Sequence, residues 1–328
     1  ALLERAPGHA RAEMRVVDTL MARDPAAAAE RLDRLIADAA RPSDRQALQS
    51  WRALASHRCG DTRAALDFWL QRNAAEAPSQ LQRPAAAPAP AQWPEPAAPA
   101  PDAPAATFMV GLPGALPERV ARLLAPVVPH FRSDRFWTRP PADGFQDLGA
   151  WPRIASGEVA PGAVIDSWRA ALPGRGIQGP VIDWLPWWDN VYAAAMRAAL
   201  PGARLLVVLR DPRDMLVDWL AFGAQPPFAA ESPQAAADWL AGALGQLATV
   251  HEQALVAHDL LRVDDTIDDP VSMAAQLGDT LGIRLPEPPA GYFGPRRQST
   301  GIWRSYADLL AGPIATMAPV ARRFGYPD

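Results

Sequence analysis

Leu205-Leu206-Val207-Val208-Leu209 is an unbroken apolar run that ends on Arg210 and passes directly into Asp211-Pro212-Arg213-Asp214. A run of this kind suits a strand covered on both faces, the condition of a parallel sheet between two helical layers. Asp211 is a good N-cap, Pro212 fits the first helical position, and Asp214 adds negative charge to the first turn. The segment therefore predicts a strand, an abrupt stop and a helix start. Arg210 falls at the carboxyl end of the strand beside a helix N-terminus, where α/β proteins hold anions.

The rest of the chain divides around this signal. Residues 1–80 are rich in Ala, Leu and Arg, with apolar residues at helical spacing: Val16, Val17, Leu20 and Met21 form one face, and Leu32, Leu35 and Ile36 another. Residues 81–106 are dominated by Pro and Ala, which disfavours helix and favours extended polyproline backbone, so they predict a semi-rigid linker and domain boundary. Residues 107–328 predict the α/β domain. Thr107–Gly111, Ala163–Ile165 and Pro180–Asp183 are its further strand candidates, and helices are expected over about 231–257 and 270–281. Strands alternating with helices argue a doubly wound parallel sheet flanked by helices.

Composition removes several function classes. The net charge of −4 gives no reason to expect nucleic acid, and no apolar run is long enough to span a membrane. The single cysteine, Cys59, excludes an internal disulfide framework and fits a reducing, cytoplasmic compartment. The chain starts at Ala1 without Met or a signal-peptide pattern, which predicts a processed product or a piece of something longer. It contains no lysine, so a phosphate-cradling or Schiff-base lysine is excluded and every fixed basic charge is arginine. No metal-ligand spacing, nucleophile elbow or dinucleotide glycine fingerprint is present.

Two resemblances follow from the motifs. Trp51–Ala55 with Cys59–Phe68 resembles a tetratricopeptide unit, in which Gly60-Asp61 breaks the two helices and Ala64 and Ala65 allow close packing. A repeat cannot bury its face alone, so the upstream helices should stack on it, and a protein partner is expected on this region. Arg210, Pro212 and Asp214 resemble the 3′-phosphate motif of the sulfotransferases that use 3′-phosphoadenosine 5′-phosphosulfate (PAPS). Leu261–Pro270, Leu281–Ile283 and Ser299–Tyr306 are similar to later segments of that family, and Gly301 and Trp303 would then contribute to the nucleotide site. Helical repeats followed by such a domain look like its tetratricopeptide-repeat members. The resemblance implies a P-loop type α/β fold, PAPS as cofactor, and Gly111, Pro113, Arg210, Asp214, Asp218, Gly301 and Trp303 as cofactor-binding positions.

The chain departs from that pattern at three places. The family loop "G-L-P-R-S-G-T-T" reads Gly111-Leu112-Pro113-Gly114-Ala115-Leu116-Pro117-Glu118 here. It has lost its basic side chain, its serine and a glycine, and it has gained a proline without N–H and a carboxylate. The Ser of the 3′-phosphate motif is Asp218, and the Lys expected between Asp183 and Pro186 is Trp184. Sulfuryl transfer relies on electrostatic stabilisation by such groups. The expectation is a degenerate pseudo-sulfotransferase used in protein interaction or assembly, without cofactor. The alternative is an active PAPS-dependent enzyme acting on a peptide or glycan hydroxyl, its phosphate site rebuilt from Arg210, Arg296 and Arg297. Asp183 and Glu118 are the candidate proton acceptors, beside His130, His251 and His258. Trp184, Trp187 and Trp188, joined by Tyr292, Phe293 and Trp303, form either a ligand-binding aromatic cluster or plain core. Arg296, Arg297 and Arg304 are a candidate anion site beside Gly301.

Overall fold

The computed structural model describes residues 9–86, 90, 92–98, 105–147, 150–294 and 299–328. Four helices come first: α1 (Ala10–Arg23), α2 (Pro25–Asp38), α3 (Pro42–Arg58) and α4 (Thr62–Glu76). Their boundaries follow the local chemistry. Asp24 accepts the Ala27 N–H at 3.0 Å with Pro25 at the first helical position, and Asp61 accepts the Ala64 N–H at 3.0 Å just after Gly60. Val17, Met21, Ala28, Leu32, Leu54 and Ala55 close a small core among the first three helices.

The α/β domain is built on five parallel strands: β1 (Ala106–Val110), β2 (Phe131–Arg132), β3 (Val181–Leu185), β4 (Arg204–Leu209) and β5 (Ala257–Arg262), in the order β2-β3-β1-β4-β5. Helices α5 (Pro117–Leu124), α6 (Ala150–Ala155), α7 (Gly162–Ala171), α8 (Asn190–Ala199), α9 (Pro212–Phe222), α10 (Pro233–Glu252), α11 (Pro270–Leu281) and α12 (Ala311–Arg323) flank it. The β4 run Leu205–Leu209 is buried throughout, as a strand covered on both faces requires. The chain leaves β1 toward the β2 edge and leaves β4 toward β5. The topological switch point, where such sheets open a crevice, therefore lies between the carboxyl ends of β1 and β4.

Two expected elements differ. Ala163–Ile165 is the first turn of α7, not a strand, because Val164, Ile165 and Trp168 are buried together at helical spacing and three apolar residues alone do not distinguish the two periods. The helix expected to reach residue 257 ends at Glu252, and His258 lies in β5.

The helical layer and the α/β domain share one core. Ala53, Ala65, Leu66 and Trp69 from α3 and α4 belong to the same buried cluster as the sheet. Arg72 donates to the carbonyls of Ala221 (2.8 Å) and Leu220 (3.0 Å), and Asn73 Nδ2 donates to Leu220 O at 3.0 Å. These bonds satisfy carbonyls that the end of α9 would otherwise leave open. The described parts of 81–106 are extended, as their prolines require, and lie along the α/β domain. Leu81 exchanges backbone bonds with Pro227 and Ala229 at 2.9 and 3.0 Å, Trp239 Nε1 donates to Pro84 O at 2.8 Å, and Ala97 N–H reaches Arg197 O at 2.9 Å.

Candidate functional site

The switch point brings together the loop after β1, the start of α9 and the segment 299–306. Gly111 through Pro117 are all buried. Gly114 has φ +81°, and a Cβ there would lie 2.0 Å from the Met215 carbonyl oxygen, so the loop backbone packs directly on α9. A Cβ on Gly111 would lie 2.6 Å from Pro117 Cβ. The loop is thus folded onto its own proline, and Leu116 is held in the left-handed region at φ +61°. Leu112 O takes the Ala115 N–H at 3.0 Å, so that donor is spent inside the loop.

Arg210 sits where its strand-end position predicts and is 0% exposed. Its Nη1 lies 3.4 Å from Asp218 Oδ2 and 3.5 Å from Gly114 O. Asp218, two turns along α9, is also 0% exposed. Asp218 therefore provides a counter-charge for Arg210. Beside the pair is a cavity of about 190 Å³, lined by Pro113, Gly114, Pro117, Glu118, Asp218 and Phe222 among others; both of its charged walls are acidic. This volume is below the ordinary range of small-molecule sites, about 300–1,000 Å³.

Asp214 accepts the N–H groups of Gly301 at 2.6 Å and Trp303 at 3.0 Å. Burial raises its pKa to about 6, against the opposing pull of Arg210 and the two N–H groups. Two guanidinium groups pack on the Trp303 ring, Arg213 at 4.1 Å and Arg304 at 4.7 Å from its centre. Arg213 is itself clamped by both oxygens of Asp211, at 2.9 and 2.8 Å. Asp264 joins the group by accepting from the Asp211 N–H and the Tyr326 hydroxyl. The expected positions Gly111, Pro113, Arg210, Asp214, Asp218, Gly301 and Trp303 converge, but their donors and charges are turned on one another. Arg296 and Arg297 lie outside the described residues, and Arg304 is exposed on the Trp303 ring.

Of the proton-acceptor candidates, Glu118 alone lines the cavity beside Arg210. Asp183 is fully buried and accepts five hydrogen bonds: two from Arg135 (3.0 and 2.8 Å), two from Arg175 (2.8 and 2.9 Å) and one from Trp168 Nε1 (3.0 Å). Burial would raise its pKa, yet Arg135 and Arg175 outweigh burial and hold it at about 2. Asp183 is a structural anion rather than a base. Arg135 also grips both oxygens of Asp143 at 2.8 Å, and Arg175 both of Asp134 at 2.9 and 2.7 Å. Glu118 stands in the first turn of α5 on the small acidic cavity. His130 precedes β2, His258 is near the start of β5, and His251 pairs with His258 at 2.8 Å. In a parallel sheet those places are at the amino end, opposite the switch point.

The aromatic residues pack separately. Trp184 is 3% exposed and lies against Phe136, 4.1 Å between ring centres. Trp188 donates to Asn190 Oδ1 at 3.1 Å, while Tyr292 and Phe293 pack on α5 through Arg122 and Arg119. Trp187 and Trp188 both line a cavity of about 450 Å³, and Trp187 also lines a second one of about 640 Å³. The Arg135–Asp143–Arg175–Asp134 network gave no signal in the sequence, because its partners to Asp183 come from loops up to 48 residues away. Among the described residues no group of three or more His, Cys, Asp and Glu could hold a metal, and no helix is long and apolar enough to cross a membrane. No family model, curated protein or solved structure matches this chain.

Proposed function

We propose that the protein is a non-catalytic relative of the PAPS-dependent sulfotransferases, a scaffold for protein interaction whose helical region α1–α4 offers the partner surface. One observation carries the reading: Arg210, the residue that would receive a 3′-phosphate, is buried 3.4 Å from the carboxylate of Asp218. A phosphate brought to about 4 Å from Asp218 would be repelled by on the order of 4 kcal/mol at a surface-like effective dielectric, close to a thousandfold in affinity. The closed loop at Gly111–Pro117 and the capture of the Gly301 and Trp303 N–H groups by Asp214 support the same reading.

Calorimetric titration with adenosine 3′,5′-bisphosphate tests it. The parent protein is expected to show no saturable heat up to millimolar nucleotide. Asp218→Ser, which restores the hydroxyl and removes the competing charge, is expected to bind at least about tenfold more tightly. Micromolar binding by the parent, lost in Arg210→Ala, would overturn the scaffold reading in favour of a PAPS-dependent transferase.

A further inference from the structure

The larger cavity beside Trp187, about 640 Å³, adjoins the small acidic cavity at Ala224 and Gln225, and neither Arg210 nor Asp218 lines it. Phe136, Trp137, Trp187 and Phe228 give it aromatic walls, and Pro140, Pro186, Pro226 and Pro227 stiffen its rim. Trp137 is 68% exposed, a large apolar ring left in water. Among the described residues the one charged side chain lining it is Arg135, which makes four hydrogen bonds to the carboxylates of Asp143 and Asp183. The other polar side-chain groups among its described lining residues are the amides of Gln146 and Gln225 and the indoles of Trp137 and Trp187. A cleft with aromatic walls and neutral donors favours an uncharged ligand that supplies carbonyl acceptors.

The chain shows what such a surface takes. Its own proline-rich strap runs along the adjoining side of the same aromatic row, where Trp187 and Phe228 are 6.4 Å apart and Phe228 and Trp239 are 5.3 Å apart. There Leu81 pairs with the backbone around Phe228, and the Trp239 indole donates to the carbonyl of Pro84. An extended proline segment presents carbonyls without competing N–H groups and has little conformational entropy to lose, which is why aromatic grooves recognise it. Strap residues Arg83–Ala86 line the smaller cavity on the other side of Trp187, whereas among the described strap residues Leu81 alone lines this cleft.

We infer that the cleft around Trp137 and Trp187 is a docking groove for a neutral, proline-rich extended segment of a partner protein, a second surface distinct from α1–α4. The inference rests on the scaffold reading for its purpose, but the two are tested on separate residues. Titrate the full chain with a capped alternating Pro-Ala peptide, following Trp137 by NMR, with a Ser-Ala peptide of equal length as control. The expected result is saturable binding of the Pro-Ala peptide alone, weakened at least about tenfold by Trp137→Ala. Trp137 is exposed, so that variant is expected to fold; its circular dichroism and melting temperature should match the parent. No saturation at millimolar peptide, equal binding of the Ser-Ala peptide, or binding indifferent to Trp137→Ala would overturn the inference. So would saturable binding of a neutral oligosaccharide at Trp137 with none of the peptide, which would make the cleft a sugar site. A bisphosphate result in either direction leaves this titration intact, since Arg210 does not line the cleft.

Discussion

At the scale of single residues, the chemistry turns on where a few carboxylates sit. Asp218 neutralises Arg210, and Asp214 secures the 299–306 segment by two N–H groups while buried enough to titrate near 6. The sign of its linkage follows from that raised value. The folded state disfavours the ionised form, so the stability Asp214 contributes is fully present below its unfolded pKa near 3.8 and is lost as pH rises through about 6. The shift corresponds to about 3 kcal/mol at most. Asp214 Cγ should titrate with a midpoint near 6 by NMR. The difference in urea stability between the parent and Asp214→Asn should change across pH 4–6 and be flat above pH 7; a midpoint near 4 would remove the effect.

At the scale of elements, strand β3 carries an opposite arrangement. Asp183 holds the 134–143 and 173–175 segments through Arg135 and Arg175, and its pKa is depressed to about 2. Its contribution is therefore present above the unfolded value near 3.8 and lost as pH falls toward 2. Removing the charge leaves two buried guanidinium groups short of a partner. Asp183→Asn should accordingly cost on the order of 3–5 kcal/mol at neutral pH, read from urea midpoints, and should lessen the acid sensitivity of the fold. The short loop between β1 and α5 is the other decisive element. Its glycines at 111 and 114 are required by Pro117 and the Met215 carbonyl, which leave no room for a Cβ.

At the scale of the whole molecule, the α-helical layer is fastened to the sheet domain at three levels. Trp69 is 1% exposed in the shared core, Arg72 and Asn73 bind the end of α9, and the Tyr306 hydroxyl meets His57 Nδ1 at 3.0 Å. The strap adds a fourth connection through Leu81 and Pro84. These contacts predict one cooperative thermal transition for the full chain by calorimetry, with van't Hoff and calorimetric enthalpies in agreement. Two separated transitions, the first lost when residues 1–80 are deleted, would show the layers to be independent.

Much of this was legible in the chain itself where the deciding physics is local. The apolar run before Arg210 specified a buried strand, Asp211-Pro212 a helix start, and Gly60-Asp61 the break between α3 and α4, since each depends on neighbours within four residues. The seven positions read as a nucleotide site do meet at one switch point, because parallel topology collects loops at the carboxyl ends of the strands. Ala163–Ile165 was misread because three apolar residues carry no period, and the burial of Trp168 four residues on decided for helix. Only the tertiary structure could show that Asp183 is an ion-network anion rather than a base, because Arg135 and Arg175 reach it from separate loops. It also decided that Asp218 answers Arg210, that Asp214 spends the Gly301 and Trp303 donors, and that Leu81, Pro84 and Ala97 of the proline-rich stretch bond to the domain. Charge and hydrogen-bond partnership are properties of distance in space, and a sequence records distance only along the chain.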